Sequence, residues 1–209
     1  MTFDRDDYQA WREKRFEFIV NYYGEDFLKG KTVLEVGAGY GHLGNRFHEI
    51  GAIVTSVDGR EENVEGIRSR FPHLNSSVCD LETTFPEGNF DVCLHTGVLY
   101  HVDNSIQSLY NACAVCDHLI LETETIDSSD PYLTQSILEN TLPPDSAVSG
   151  RGTRLTAAHV ERLLRKWNRT FVRCDAPALN SGIHLYDWEV LESNDYGPQF
   201  RRFWFICRS

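Results

Sequence analysis

The chain has 209 residues, 41% of them hydrophobic and 24% charged, with a net charge of −11; this length suits a single domain, 1–209, with a substantial core and is short for two ordinary ones. The composition is that of a soluble globular protein rather than a disordered chain, and no apolar run reaches the length that crosses a bilayer. Charge is segregated: 71–150 holds twelve acidic residues and no lysine or arginine, whereas 151–209 holds ten basic and six acidic residues, which argues against nucleic acid as the default partner.

The amino-terminal stretch is charged from Asp4 onward and lacks the apolar middle of a secretory signal, so a cytoplasmic setting is expected. A helix is predicted over 5–23, with Tyr8, Trp11, Phe16, Ile19 and Tyr23 on its packed face, and 1–30 is read as a helical cover over the site. A strand over 31–36 leads into glycines and a helix over 41–51, whose Leu43, Phe47 and Ile50 repeat at helical spacing before Gly51. Strands follow over 52–58, ending near 76–80, over 90–96 and over 118–124; helices carrying Val64, Ile67 and Phe71, then Ile106, Leu109 and Cys113, separate them. Residues 125–155, with their Pro, Ser and Gly clusters, are read as a long substrate loop. Thr156 is placed to cap a helix carrying Val160, Leu163, Leu164 and Trp167, and 169–175 and 201–209 are the last two strands. Strands alternating with helices in this way give a doubly wound α/β sheet, which binds ligands at the carboxyl ends of its strands. The six cysteines sit in apolar stretches and read as reduced core thiols. Cys113-x-x-Cys116 has no second pair and only His118 beside it, so no metal is expected.

The stretch "VLEVGAGYGHLG" (33–44) ends a strand in glycines just before a helix, which lets a ligand touch the main chain. Gly39-x-Gly41-x-x-Gly44 has the spacing of a dinucleotide fingerprint, but that motif places its first glycine directly after the strand; counted from Gly37, the third position is His42. Asp58, at the end of the second strand, is where a carboxylate can accept from a ribose.

Four motifs in order over 30–123, "VLEVGAGYG", "SVDG" (56–59), "VCDLE" (78–82) and "FDVCLHTGVLYHV" (90–102), make the sequence resemble class I S-adenosylmethionine-dependent methyltransferases. The resemblance implies a Rossmann-like sheet of seven strands with helices on both faces and the last strand antiparallel. It implies that Glu35, Gly37, Ala38 and Gly39 line the methionine part of S-adenosylmethionine and that Asp58 holds the ribose hydroxyls, flanked by Gly59 and Arg60. Asp80 and the Leu81 amide would read the adenine edge, with His95 and Thr96 completing the cofactor set, and the product would be S-adenosylhomocysteine. Tyr100 and His101 are the leading candidates to act on the acceptor, ahead of His95. Glu122 and Glu124 would orient a cationic or hydroxyl-bearing substrate, and Arg151 and Arg154 could clamp an anionic one. Plainer readings stand beside these: Asp58 as a helix cap, Asp80 as a turn residue, His95 as filler on the sheet surface and Tyr100 as core.

The leading expectation is a methyltransferase for a small molecule. A tRNA wobble-uridine carboxymethyl transferase is the second reading; it would bind through Arg162, Arg165, Lys166, Arg169 and Arg173 with Arg12, Lys14 and Arg15, residues that equally suit solvated helix faces. A carboxymethyl donor would demand a cation near the transferred group, which strands four and five do not themselves supply. A non-catalytic adenosyl-binding module is the third reading, and the oligomeric state is left open.

Overall fold

A computed structural model describes residues 2–175 and 177–209. Among the described residues six α-helices, α1 (Asp6–Tyr23), α2 (Glu25–Leu28), α3 (His42–Glu49), α4 (Glu61–Arg70), α5 (Ser105–Val115) and α6 (Ala157–Lys166), surround one sheet. Its strands are β1 (Thr32–Val36), β2 (Ile53–Asp58), β3 (Asn75–Val78), β4 (Phe90–Thr96), β5 (Cys116–Ile126), β6 (Thr134–Leu138), β7 (Arg151–Thr156), β8 (Arg169–Arg173) and β9 (Tyr196–Arg208).

The doubly wound α/β fold is as expected, but the sheet has nine strands among the described residues, not seven. All seven expected strands are present: β3, β2, β1, β4 and β5 are parallel neighbours, and β9 continues the order antiparallel to β5, with β8 outside it. The two additional strands lie in 125–155, which is therefore not a plain loop. β7 pairs with Thr125 and Ile126, just beyond the last β4 partner, Glu122, and β6 pairs antiparallel to β7. Ile126 pairs with both Thr156 and Tyr196, so β7 lies on the β4 edge of β5 and β9 on the other. Residues "TQSIL" and "RGTRLT" carry little strand propensity of their own; pairing to the end of β5 decides their conformation.

Side chains alternate across the sheet and divide the core into two layers. Val33, Val92, Leu94, Ile120, Phe203 and Phe205 face α1, α3 and α4, where Phe16, Ile19, Phe47 and Ile67 are buried. Leu34, Cys93, Leu119, Leu121, Trp204 and Ile206 face α5 and α6, where Leu109, Cys113, Val160 and Leu164 are buried. Helix α6 begins where Thr156 Oγ1 accepts from the His159 amide at 2.9 Å. All six cysteines are free thiols, five of them buried. No helix among the described residues is long and apolar enough to cross a membrane.

Candidate active site

The carboxyl ends of β1, β2, β4 and β5 open into a cavity of about 470 Å³, walled on the outside by α1 and by residues 144–148. Gly37, Ala38, Asp58, Gly59, Arg60, Asp80, Leu81 and Thr96 line it, as do Tyr100 and His101. Gly39 does not reach it, because the Phe3 ring packs where a side chain would stand.

After β1 the main chain turns through Gly37 (φ 65°), Gly39 (φ 56°) and Gly41 (φ 74°), a left-handed path that side chains resist. A Cβ at Gly37 would lie 2.6 Å from Val98 Cγ2, so the absent side chain is what lets the loop close on β4. The turn is held from below by Asp58. Its Oδ2 accepts from the Gly39 amide at 2.8 Å, and its Oδ1 accepts from the Arg60 amide and Asn63 Nδ2, each at 3.0 Å. A carboxylate offers about four acceptor positions; the open one is on Oδ2, enough for one hydroxyl. Burial raises Asp58 above the ordinary carboxylate range, against the pull of these bonds.

Glu35 lies along the cavity wall but is 3% exposed, with Oε1 accepting from the Gly44 amide at 3.1 Å and Oε2 from Ser56 Oγ at 2.7 Å. It anchors the first turn of α3 to β2. Burial pushes it up to about 7 from an ordinary 4.5. The folded state therefore binds more protons than the unfolded one between those values, so stability falls as pH rises through this window and levels off above it. The share due to Glu35 is on the order of 3 kcal/mol. Glu35→Gln should flatten this decline; urea unfolding of both proteins at pH 5 and pH 7.5 measures it.

The other end of the cavity is built by the 3-10 turn Leu99–His101 and by β7. His101 Nδ1 is 2.5 Å from Glu139 Oε2, and its Nε2 has no hydrogen-bond partner among the described residues. Glu139 Oε2 also accepts from the Ala147 amide at 2.9 Å, and Oε1 accepts from Arg154 Nη1 at 2.7 Å. Burial raises the Glu139 carboxyl, but the bonded His101, with Ala147 and Arg154, outweighs it and holds Glu139 at about 2. The connection between β6 and β7 lies over the Asp58 end. Arg60 Nη2 donates to the carbonyls of Ser146 and Ala147 at 3.2 and 3.3 Å, and Asn63 Nδ2 donates to the Pro144 carbonyl at 3.1 Å.

A model described as a methyltransferase domain matches residues 8–179. The chain belongs to this methyltransferase domain family. No curated protein sequence matches it. Among solved structures, the methyltransferase is similar to the N-terminal domain of EvdMO1, determined in the presence of SAH and D-fucose, with 19% identity, TM-score 0.69, and 99% of this chain and 84% of that one covered. It is also similar to magnesium protoporphyrin IX methyltransferase (ChlM) from Synechocystis PCC 6803 with bound SAM, with 14% identity, TM-score 0.63, and 97% and 82% covered. A third is the 1,6-didemethyltoxoflavin-N1-methyltransferase of Burkholderia thailandensis, with 18% identity, TM-score 0.60, and 96% and 79% covered. At these identities the likeness is one of fold.

Several residues of the methyltransferase stand elsewhere than the sequence suggests. His95 does not line the cavity: it is fully buried on the α5 side, with Nε2 3.3 Å from Ser108 Oγ, and burial lowers it to about 4. Glu122 is also fully buried and faces no substrate space; Arg201 Nη1 donates to its Oε1 at 2.5 Å and Arg15 Nη1 to its Oε2 at 3.2 Å. Glu124 does line the cavity, where Arg201 Nη2 reaches it at 3.1 Å and Arg154 Nη2 lies 3.8 Å away. The Tyr100 hydroxyl accepts from Arg201 Nη2 at 2.7 Å, and burial raises it further above its ordinary value despite that arginine, so it stays protonated. A protonated hydroxyl held this way cannot take up a proton as a base. Arg201 Nε donates to His184 Nδ1 at 3.0 Å, and burial with the neighbouring arginine holds His184 at about 4, neutral and able to accept.

Arg201, Glu139 and the Trp11–His184 stack, 4.0 Å between ring centroids, carry no signal in the sequence that marks them as part of a site, and Arg15 stands out there only as part of a basic cluster with Arg12 and Lys14. Arginines thus do arrive at the β5 lip, from α1, β7 and β9, but Arg15, Arg154 and Arg201 are each matched to a glutamate. Arg12 differs. It lines the cavity on α1, donates to the Phe3 carbonyl at 2.9 Å and makes no ion pair among the described residues.

Proposed function

We propose that this protein transfers an ordinary methyl group from S-adenosylmethionine to a small-molecule acceptor. The observation that carries the reading is one cavity joining the glycine turn and Asp58 at one end to His101, with its unpartnered Nε2, at the other. The residues present fit the cofactor. The left-handed turn keeps side chains off the path beside Ala38, Asp58 keeps one acceptor position for a ribose hydroxyl, and unpaired Arg12 suits the α-carboxylate of the methionine part. Gly59, Arg60, Asp80 and Leu81 line the same cavity, where the first two would flank the ribose and Asp80 with the Leu81 amide would take the adenine.

When bound, S-adenosylmethionine supplies an electrophilic methyl group. The chain's own part is to hold the acceptor in line, exclude water and take a proton at His101 Nε2. Enclosure by α1 and residues 144–148 suits a small acceptor, as do the matched arginines and glutamates, which leave the β5 lip without the free cation a carboxymethyl group would need. The basic residues weighed for tRNA are largely committed: Arg165 and Arg173 to Glu161, Arg162 to the Pro131 carbonyl, Arg169 to the Cys113 and Cys116 carbonyls, Lys14 to the Asn180 carbonyl.

Isothermal titration with S-adenosylhomocysteine tests the reading. Asp58→Ala should weaken binding by about 2 kcal/mol, the loss of one charge-assisted hydrogen bond and of support for the turn. Unchanged affinity in the variant refutes the ribose assignment, and no binding by the wild-type protein refutes the cofactor.

A further inference from the structure

We propose that Glu139 is a positioning residue that ties closure of the strap, residues 139–150, over the Asp58 end of the cavity to the tautomer of His101. The inference rests on the methyltransferase reading and adds to it how the acceptor base is set.

One carboxylate oxygen does both jobs. Glu139 Oε2 lies 2.5 Å from His101 Nδ1 and 2.9 Å from the Ala147 amide nitrogen. A carboxylate only accepts, so the contact places a hydrogen on Nδ1, and in the neutral imidazole the lone pair is then on Nε2. Glu139 stays ionised over the whole working range, being held at about 2. Its second oxygen is secured by Arg154, so the carboxylate cannot turn away without breaking a further bond. The strap is closed at its base by the Glu139 amide donating to the Gly150 carbonyl at 2.9 Å, and at its far end Arg60 and Asn63 hold Ser146, Ala147 and Pro144. Asn63 and the Arg60 amide in turn bind Asp58. A continuous chain of bonded groups therefore runs from the ribose-facing carboxylate through the strap to the imidazole.

With the strap open, Ala147 leaves Oε2 and Arg154 alone braces the carboxylate, so the His101–Glu139 contact is loosened and the imidazole gains freedom to turn and to exchange tautomers. With the strap closed, a proton leaving the acceptor lands on Nε2 while the acceptor keeps the electron pair, and the imidazolium so formed faces Glu139. Base competence is thus reached only when the Asp58 end is covered.

The test uses the whole chain with isotope-labelled histidine. Long-range proton–nitrogen spectra report the His101 tautomer, assigned by comparison with His101→Gln, and hydrogen exchange reports protection of 140–149. The wild-type protein should show the Nδ1-protonated form. Glu139→Gln presents an amide that cannot accept from His101 and Ala147 through one ionised group; His101 should lose its fixed tautomer, and the strap amides should exchange at least about tenfold faster. Arg60→Ala leaves Glu139 intact and removes the bonds to Ser146 and Ala147, leaving only Asn63 on Pro144 at the far end of the strap, and it should produce the same two changes; it carries the test if Glu139→Gln does not fold. A His101 tautomer unchanged in a folded variant whose strap exchanges faster overturns the coupling, as does an Nε2-protonated His101 in the wild-type protein. Both spectra are taken without ligand, so this result is independent of the titration with S-adenosylhomocysteine, whose failure would instead overturn the methyltransferase reading.

Discussion

Glu122→Ala should destabilise the protein by about 3–5 kcal/mol, the cost of leaving buried arginine without its counter-charge. Glu122 is 0% exposed, and both its oxygens are used, one by Arg201 and one by Arg15. Arg201 retains Glu124, whereas among the described residues Arg15 has no other ion pair and its Nε is already buried without a partner, so most of the loss falls on α1. Urea unfolding at pH 7 measures the difference. The sign of its pH dependence is fixed too. Burial alone would raise Glu122, but Arg201 and Arg15 hold it below its ordinary 4.5. Its contribution is therefore present above that value and is lost as pH falls through the lower folded one, so the gap between wild type and variant should close in acid. A gap that persists unchanged under acid conditions would show that packing, not charge, is responsible.

Gly152→Ala should cost about 3 kcal/mol, the upper part of the range for overpacking, because the obstructing group is main chain. A Cβ at Gly152 would overlap the Tyr100 carbonyl oxygen and lie 2.7 Å from Glu139 Oε1 and 2.8 Å from Arg154 Nη1. Neither can yield cheaply. The Tyr100 carbonyl accepts from Arg154 at 3.0 Å, and the Thr153 amide donates to the Val102 carbonyl at 3.0 Å, so β7 is laced to the turn that carries Tyr100 and His101. The extra methyl group would push the strand off that turn. Calorimetric unfolding tests the stability; the same variant should disturb the His101–Glu139 contact, visible as a changed His101 spectrum. An alanine variant with wild-type stability would mean that the turn moves without resistance.

The sheet was legible wherever local pattern decides structure. "FDVCLHT" alternates between the two core layers and becomes β4 residue for residue, and the helix carrying Val160, Leu163 and Leu164 begins at its Thr156 cap. The glycine turn and Asp58 were legible because a strand end, a tight turn and an acid at the next strand end leave few alternatives. β6 and β7 were hidden by polar residues and a glycine that pair only because β5 runs on past β4. The arginine–glutamate cluster was hidden for a different reason. Arg15 and Glu122 stand 107 positions apart, and Arg201 and Glu122 79 apart, so nothing in their neighbourhoods distinguishes them from surface charges. Ending a strand, Glu122 and Glu124 look substrate-facing in the sequence; β9, arriving alongside, buries the first and leaves only the second at the cavity. Glu139 sits between a weak strand and a Pro-containing connection, where sequence carries no geometric information.

The position of β9 between β5 and β8 has a consequence for synthesis. Its 13 residues are translated long after β5, and among the described residues β8, although made earlier, is joined to the sheet through β9 alone. Throughout that interval the nascent chain presents a bare β5 flank whose carboxylates at Glu122 and Glu124 disfavour docking by stray apolar strands. A segment that carries arginine in register with Glu124, as Arg201 does, meets this requirement. The buried pairing of Arg201 with Glu122 and Glu124 therefore favours β9 over an apolar segment at this edge, and a chain truncated before β9 should lack the contact that completes the cluster.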